Sequence, residues 1–363
     1  MSRSRDIADS TKTLGVDGGT IKLDGNYPVG TQNVALGDTA LDSVAADGNY
    51  NTAIGHASLT ANTTGDTNSA LGRESLLSNT TGSSNTAVGY TALLNNTSAS
   101  NNTAVGYQAG YANTTGTSNS ALGYQALNSN TTASNNNAFG FQALYLNTTG
   151  AVQTAMGHVA LYANTTGTEN TAFGGAALKD NTTGNYNVAV GRNALANNTT
   201  ASNNTAVGFE AGLSNTTGAS NASLGKGSLY SNTTGNFNAA FGDTALQANT
   251  TASGNTAVGF QAGYSHTTNG YLTAIGYKAG YTGNADSAFV GYEAGYNSTG
   301  GSNTAMGSYR ALYSNTSGSS NTAIGREALL SNTTADNNTA VGYQAGYSFT
   351  TGGYSTVMGY QAA

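Results

Sequence analysis

One short phrase, repeated at a fixed interval, runs along almost the whole chain. "NTAVGYQAGY" occurs at residues 102–111 and again at 338–347, and near-copies such as "NSALGYQALN" lie between them. Counted on the glycine of "NTAVG", the step is 17 residues at every unit from Gly55 to Gly276, and steps of 18, 15, 16 and 18 occur outside that stretch. Such a period indicates one array of about twenty stacked units rather than several globular domains.

Each position of the repeat, numbered from this glycine as position 0, predicts its own environment. Position −1 is always apolar (Val88, Leu122), position −2 is almost always alanine, and position +3 is alanine or serine in the regular units, so we expect all three to face inward. Position +1 accepts aromatic and charged residues alike and is expected to face solvent. Position +4 is usually leucine, and where it is glycine the next residue is large; this pairing predicts that the large side chain fills the missing volume.

The polar half of each unit contains two columns of asparagine, at positions +7 and −4. Asparagine, threonine and glycine are poor helix formers, and no helical apolar stripe is present. A short β-strand on either side of the glycine, followed by a polar return, predicts an all-β fold, a parallel β-solenoid of about twenty 17-residue coils. Stacked asparagines would form amide ladders, and the glycine would supply a positive φ or a close backbone approach.

A 17-residue coil encloses only a thin core, and small cores need help from oligomerisation, metals or disulfides. The chain has no cysteine and no repeating acidic cluster. We therefore expect a homotrimeric fibre in which three parallel chains bury the alanine and glycine columns; a single solenoid is the alternative.

The repeats "NTAVGYQAG" and "NSALGYQAL" resemble the "NSVAIG"-type repeats of trimeric autotransporter adhesin heads. They resemble more closely the "NTAxG…AL…NTTG" arrays of bacteriophage tail fibre and appendage proteins, and the opening "MSRSRDIAD" is similar to the start of phage fibre proteins. This resemblance covers roughly residues 31–363 and implies a trimeric β-fibre on a virion. No export signal or membrane anchor is recognisable, which favours the phage fibre over the adhesin. The chain stops within a unit at "GYQAA", so we expect either that it is a fragment or that a following segment has been cleaved off.

Chemistry of the enzymatic kind is not expected. The net charge of −6 argues against nucleic acid as a partner. The sequence contains no run of 18 apolar residues, so membrane insertion is not predicted. His56 and His158 stand six units apart, and His266 replaces an asparagine of the ladder. The glutamates at position +2 are predicted to be solvated surface charges. No catalytic residue, metal site or cofactor is therefore predicted, and the "NTT" glycosylation patterns are interpreted as ladder residues.

Tyrosines at position +1 are the first candidate contact surface. Exposed aromatic rows bind sugars and receptors, and the alternative is that the rings stack on one another and cover the array. The candidate receptor-contact residues are Tyr90, Tyr107, Tyr124, Tyr277, Tyr292 and Tyr343.

Two further segments depart from the repeat. The irregular register at about 277–325, which includes Asp286, Glu293 and Arg310, is either a binding loop or tolerated drift. Residues 1–30 do not match the repeat and are interpreted either as an attachment segment or as a floppy terminus. The candidate attachment residues, which would dock on a virion or particle protein, are Arg3, Arg5, Asp6 and Asp9.

The sequence thus predicts a rigid fibre shaft in a virion appendage, with residues 1–30 as its attachment segment and 31–363 as the array. A cellular surface adhesin or matrix fibre that binds glycans is the alternative. An ice-binding solenoid is the third hypothesis, and adjacent threonines that point to opposite faces argue against it.

Overall fold

The computed structural model describes residues 14–16, 19–21, 30, 32–283 and 286–363. These residues form an all-β parallel β-solenoid with one strand in each coil of about 17 residues, and they contain no helix. They belong to two compact units, Met1–Asn170 and Thr171–Ala363, each with its own stack of coils.

The first unit contains an antiparallel pair, β1 and β2, and then one short strand per coil. Neighbouring strands of the coils run parallel and in register, so that Ala104 lies between Ala87 and Ala121. The strands are β1 Leu14–Val16, β2 Gly19–Ile21, β3 Val34–Leu36, β4 Thr52–Ile54, β5 Ser69–Leu71, β6 Thr86–Val88, β7 Thr103–Val105, β8 Ser120–Leu122, β9 Asn137–Phe139 and β10 Thr154–Met156.

The second unit repeats the same arrangement. Its strands are β11 Thr171–Phe173, β12 Val188–Val190, β13 Thr205–Val207, β14 Ala222–Leu224, β15 Ala239–Phe241, β16 Thr256–Val258, β17 Thr273–Ile275, β18 Ala288–Tyr292, β19 Thr304–Tyr309, β20 Thr322–Ile324, β21 Thr339–Val341 and β22 Thr356–Met358. Strands β18 and β19 lie where the sequence period is irregular. They are longer than their neighbours, and their register shifts between Val290 and Tyr292.

The repeat glycine meets both requirements predicted for it. Gly106 has a φ of 138°, a conformation open to glycine alone. A Cβ atom there would lie 2.3 Å from the carbonyl oxygen of Gly123 in the next coil. Glycine is therefore needed for its backbone conformation and for the close approach of successive coils.

In the regular coils the predicted strand after the glycine is wrong, because that segment is a series of turns; β18 and β19 are the strands that continue past it. Positions +2 and +4 adopt left-handed φ values, as at Gln125 (54°) and Leu127 (54°). Such values are uncommon for residues with a side chain. They are held by bonds between coils: Gln125 N–H donates to the Tyr107 carbonyl at 2.8 Å, and Leu127 N–H donates to the Ala143 carbonyl at 2.9 Å.

The strand alternates in burial, which corrects the prediction for position −1. The central alanine, such as Ala189, is fully buried, whereas Leu122 and Leu224 at position −1 remain 48% and 49% exposed. Successive strand residues point to opposite faces, so two adjacent apolar positions cannot both enter the core. The alanine columns are already buried within one chain, and their burial by a trimer is therefore not required.

The core of each coil consists of alanine at positions −2 and +3 and leucine at position +4. Where position +4 is glycine, the space is filled from neighbouring positions. A Cβ atom on Gly110 would lie 2.9 Å from Leu93 of the preceding coil, and Phe289 fills the space beside Gly280 and Gly295. The large residue that follows the glycine, such as Tyr111, is only half-buried, so its predicted role as core filler is wrong.

Two asparagine ladders connect the coils, as the polar columns predict. Asn113 donates from Nδ2 to the Asn96 Oδ1 atom at 2.9 Å and to the Gly116 carbonyl at 2.9 Å. Asn102 belongs to the second ladder, at position −4. Its backbone N–H donates to Asn85 Oδ1 at 3.0 Å, and its Nδ2 donates to the same Gly116 carbonyl. Asn113 belongs to an "NTT" motif and is buried, which confirms the interpretation of this motif as a ladder.

Candidate functional surface

The tyrosines predicted as a contact surface form a continuous stack in the first unit. Tyr90, Tyr107 and Tyr124 lie on successive coils, with ring centroids 5.5 and 5.0 Å apart and nearly parallel planes. Phe141 and His158 continue the stack at 5.2 Å spacings. These position +1 residues constitute the first aromatic column.

The first aromatic column recurs in the second unit. Tyr277 stacks on Tyr292 at 5.1 Å, and Tyr292 stacks on Tyr309 at 5.3 Å. Tyr309 lies two residues after Gly307 rather than one, and the register shift in β18 and β19 places it opposite Tyr292. Tyr343 stacks on Tyr360 at 5.0 Å. The irregular register therefore preserves the aromatic column.

Stacking determines which parts of the rings are accessible. Rings about 5 Å apart and within 20° of parallel cover each other's faces. Tyr107 and Tyr277 are each 41% exposed. Because stacking covers the ring faces, the exposed area belongs to ring edges and hydroxyl groups. The prediction that the rings stack on one another is confirmed. A ligand that binds along this column, away from its ends, contacts tyrosine hydroxyl groups rather than ring faces.

A second aromatic column, at position +5, was not predicted as a contact surface. Tyr264, Tyr281 and Tyr296 at position +5, and Tyr313 six residues after Gly307, stack with centroids 4.9–5.3 Å apart in the second unit. Tyr264, Tyr281 and Tyr296 each follow a glycine at position +4, and the sequence predicts that their side chains fill the core. The recurrence of tyrosine at this position was the signal that could have indicated a surface column.

Charged side chains lie between the two aromatic columns. The Arg310 guanidinium lies 4.9 Å from the Tyr309 ring centroid and 4.8 Å from that of Tyr313, and its Nε donates to Glu293 Oε2 at 2.7 Å. Lys278 lies over Tyr277 at 5.4 Å. The irregular segment thus brings Glu293 and Arg310 together, whereas Asp286 is exposed. Such a paired, partly buried charge fixes geometry and offers little free charge to a ligand.

The phenols of Tyr281 and Tyr292 remain neutral near pH 7. Burial raises the pKa of Tyr281 above its ordinary value, and the neighbouring phenols Tyr296 and Tyr264 add to the rise. Burial also raises the pKa of Tyr292, with the Glu293 carboxylate as the next cause. The surface therefore presents hydroxyl donors and acceptors.

The remaining predicted residues are dispersed. His56 and His158 are exposed, whereas His266 is buried at its place in the position +7 ladder. Within the described ranges no three histidine, cysteine, aspartate or glutamate side chains gather as metal ligands, and no described helix could cross a membrane. Arg3, Arg5, Asp6 and Asp9 lie outside the described residues.

His266 interrupts the asparagine ladder and leaves two buried atoms without partners. These atoms are His266 Nε2 and the Asn249 Oδ1 atom of the preceding coil. Burial lowers the pKa of His266, and backbone hydrogen bonds to Asn269 and Gly283 oppose the change. The folded state therefore disfavours the protonated imidazole.

We expect His266→Asn to stabilise the second unit by about 1–2 kcal/mol at pH 7.5, because the new amide can donate to Asn249 Oδ1. Since the unfolded state binds a proton more readily than the folded state, the wild-type chain should lose stability as the pH falls below about 6.5. The variant should lack this loss. Urea unfolding at pH 7.5 and 5.0 measures both effects, with the exposed Ser265→Asn as control. Equal pH dependence in His266→Asn and the wild type would contradict the assignment.

Comparisons with known proteins assign no family to the chain. No protein-family model matches the chain, and a search of curated proteins finds no significant match.

Proposed function

We propose that this chain is the structural shaft of a phage tail fibre or related virion appendage, and that it acts as a homotrimeric, rigid spacer for host attachment. The observation that carries the proposal is that, within each unit, successive regular coils are bonded by recurring backbone and side-chain ladders, which His266 interrupts at one position. Such a chain resists bending through repetition, and it needs no reactive site to do so.

The bonds between coils come from several positions at once. In the second unit, Thr199 Oγ1 donates to the Thr216 carbonyl at 3.1 Å, and Asn215 Nδ2 donates to Asn198 Oδ1 at 2.8 Å. The Thr205 N–H donates to the Asn221 carbonyl at 2.8 Å. Most threonines at position +8 thus donate their hydroxyl hydrogen to a carbonyl of the next coil rather than to solvent. This pattern supports a mechanical role more than a ligand-binding one.

The glycan-binding adhesin is the second candidate, and the two aromatic columns with Arg310 between them favour it. Phenol hydroxyls and a guanidinium are groups that can hydrogen-bond a sugar. The stacked rings, however, offer free faces only at the ends of a column, which limits the sugar stacking that aromatic surfaces commonly provide.

Immunogold labelling distinguishes the two candidates by location. Antibodies raised against the purified chain would be applied to virions and to cell envelopes from the source culture. We expect gold on the appendages of virions. Labelling confined to cell envelopes, together with binding on a glycan array that Tyr277→Ala abolishes, would overturn the shaft and support the adhesin.

A further inference from the structure

An apolar stripe follows the outer face of the strands in both units. It consists of the position −1 residues, and the most exposed members of regular coils are Leu71 and Leu122 in the first unit and Phe173 and Leu224 in the second, at 48–49% exposure. Every position −1 residue is valine, leucine, isoleucine, phenylalanine or methionine. A contiguous apolar surface of this kind marks an interaction site in a water-exposed protein.

On its position −3 side the stripe is bordered by residues that carry no charge. Position −3 points to the same side of each strand and holds threonine, serine, asparagine, alanine or valine. The charged residues of the regular coils lie elsewhere, such as Lys226 at position +1 and Glu210 at position +2. A partner that covers positions −3 and −1 therefore buries no unpaired charge at these positions.

The area of the stripe is sufficient for a stable interface. A fully buried aliphatic or aromatic side chain removes roughly 60–120 Å² from water. Position −1 side chains that expose about two fifths of this area, taken over the twelve strands described in the second unit, give roughly 300–600 Å². A standard interface buries about 800 Å² per partner, so the stripe and the adjacent position −3 residues together reach that size.

The spacing of the stripe identifies its occupant. Apolar groups recur once per coil, at the strand separation of about 4.8 Å. A partner must present apolar groups at that interval over many coils, and a second copy of this chain does so. Cyclic symmetry about an axis along the stack would place identical residues at the same level.

We propose that the position −1 stripe is the surface through which copies of this chain pack side by side, parallel and in register. This inference rests on the proposed homotrimeric shaft and names the surface that forms the trimer. It differs from the sequence-based expectation, in which the alanine and glycine columns formed the interface.

The test compares charge on the stripe with charge elsewhere in the second unit. Leu224→Glu with Ile275→Glu places two carboxylates in the stripe, and Thr217→Glu with Thr251→Glu places the same charge in the exposed position +9 column. Sedimentation equilibrium should give a multiple of the chain mass for the wild type and the threonine variant. The stripe variant should have a mass nearer that of one chain, with an unchanged circular dichroism spectrum.

Single cysteines provide a second readout that does not need a destabilising charge, because the chain has no cysteine of its own. Copies of Leu224→Cys should be joined by a short bis-maleimide, whereas copies of Thr217→Cys should not. Leu122→Cys mixed with Leu224→Cys should give no mixed product. A monomeric wild type, a folded stripe variant that keeps the wild-type mass, or absent cross-linking of Leu224→Cys would each overturn the proposal. Virion labelling is independent of these results, so failure of the shaft function is distinguishable.

Discussion

Replacing Gly174 with alanine is expected to lower the stability of the second unit by about 3–5 kcal/mol, whereas the same change at Gly175 should have almost no effect. Gly174 has a φ of 138°, and its added Cβ would lie 2.6 Å from the carbonyl carbon and oxygen of Gly191. Backbone atoms cannot move aside as a flexible side chain can. The coils would have to separate, which would weaken the bond from Gly191 N–H to the Phe173 carbonyl, now 2.7 Å.

Gly175 is the matched control because it is the next residue in the chain and an alanine Cβ there meets no atom within 4 Å. Gly175→Ala should leave the free energy of unfolding unchanged or raise it by up to about 1 kcal/mol through the unfolded state. Urea unfolding measures the loss, and hydrogen exchange at the Gly191 amide locates it. Equal midpoints for the two variants would show that the close approach of the coils is not a constraint.

The period and chemical character of the columns were sufficient to predict the solenoid, the asparagine ladders and the double role of the repeat glycine. Each of these follows from stacking identical residues at one spacing. Asn113 donates to Asn96 because the aligned coils place the same amide side chain at the same level in successive coils. In a repeat array the contacts between coils can therefore be predicted from the period, whereas in a globular protein the contacts between distant residues cannot be read directly from the sequence.

The predictions failed for positions whose environment depends on the three-dimensional path of the backbone within one coil. Position −1 was placed inside because it is apolar, although strand alternation already opposed it to the buried alanine at position −2. The left-handed turns could not be predicted, because residues such as Leu127 and Gln125 rarely adopt positive φ. The second aromatic column was missed for the same reason, since the turns decide that position +5 faces outward.

Asn215→Asp is expected to lower the stability of the second unit by about 3–5 kcal/mol at pH 7.5, the cost of an uncompensated buried charge. Asn215 is buried, and its Nδ2 donates to Asn198 Oδ1 at 2.8 Å and to the Gly218 carbonyl at 2.9 Å. The nearly isosteric carboxylate would have no donor to offer these two oxygens. Its own acceptor role toward Asn232 Nδ2, now 2.7 Å away, would be kept.

The same substitution should carry a pH signature that a packing defect would not. Burial among acceptors raises the pKa of the new carboxyl above the ordinary value of about 3.9. The folded variant then binds a proton more readily than the unfolded one, so its deficit relative to the wild type should shrink to about 1–3 kcal/mol near pH 4, where a protonated carboxyl can donate one bond. Asn203→Asp, at an exposed site, should show neither the deficit nor its pH dependence in urea unfolding. A deficit in Asn215→Asp that stays constant between pH 7.5 and 4 would mean that the lost shape, rather than the lost donor, destabilises the coil.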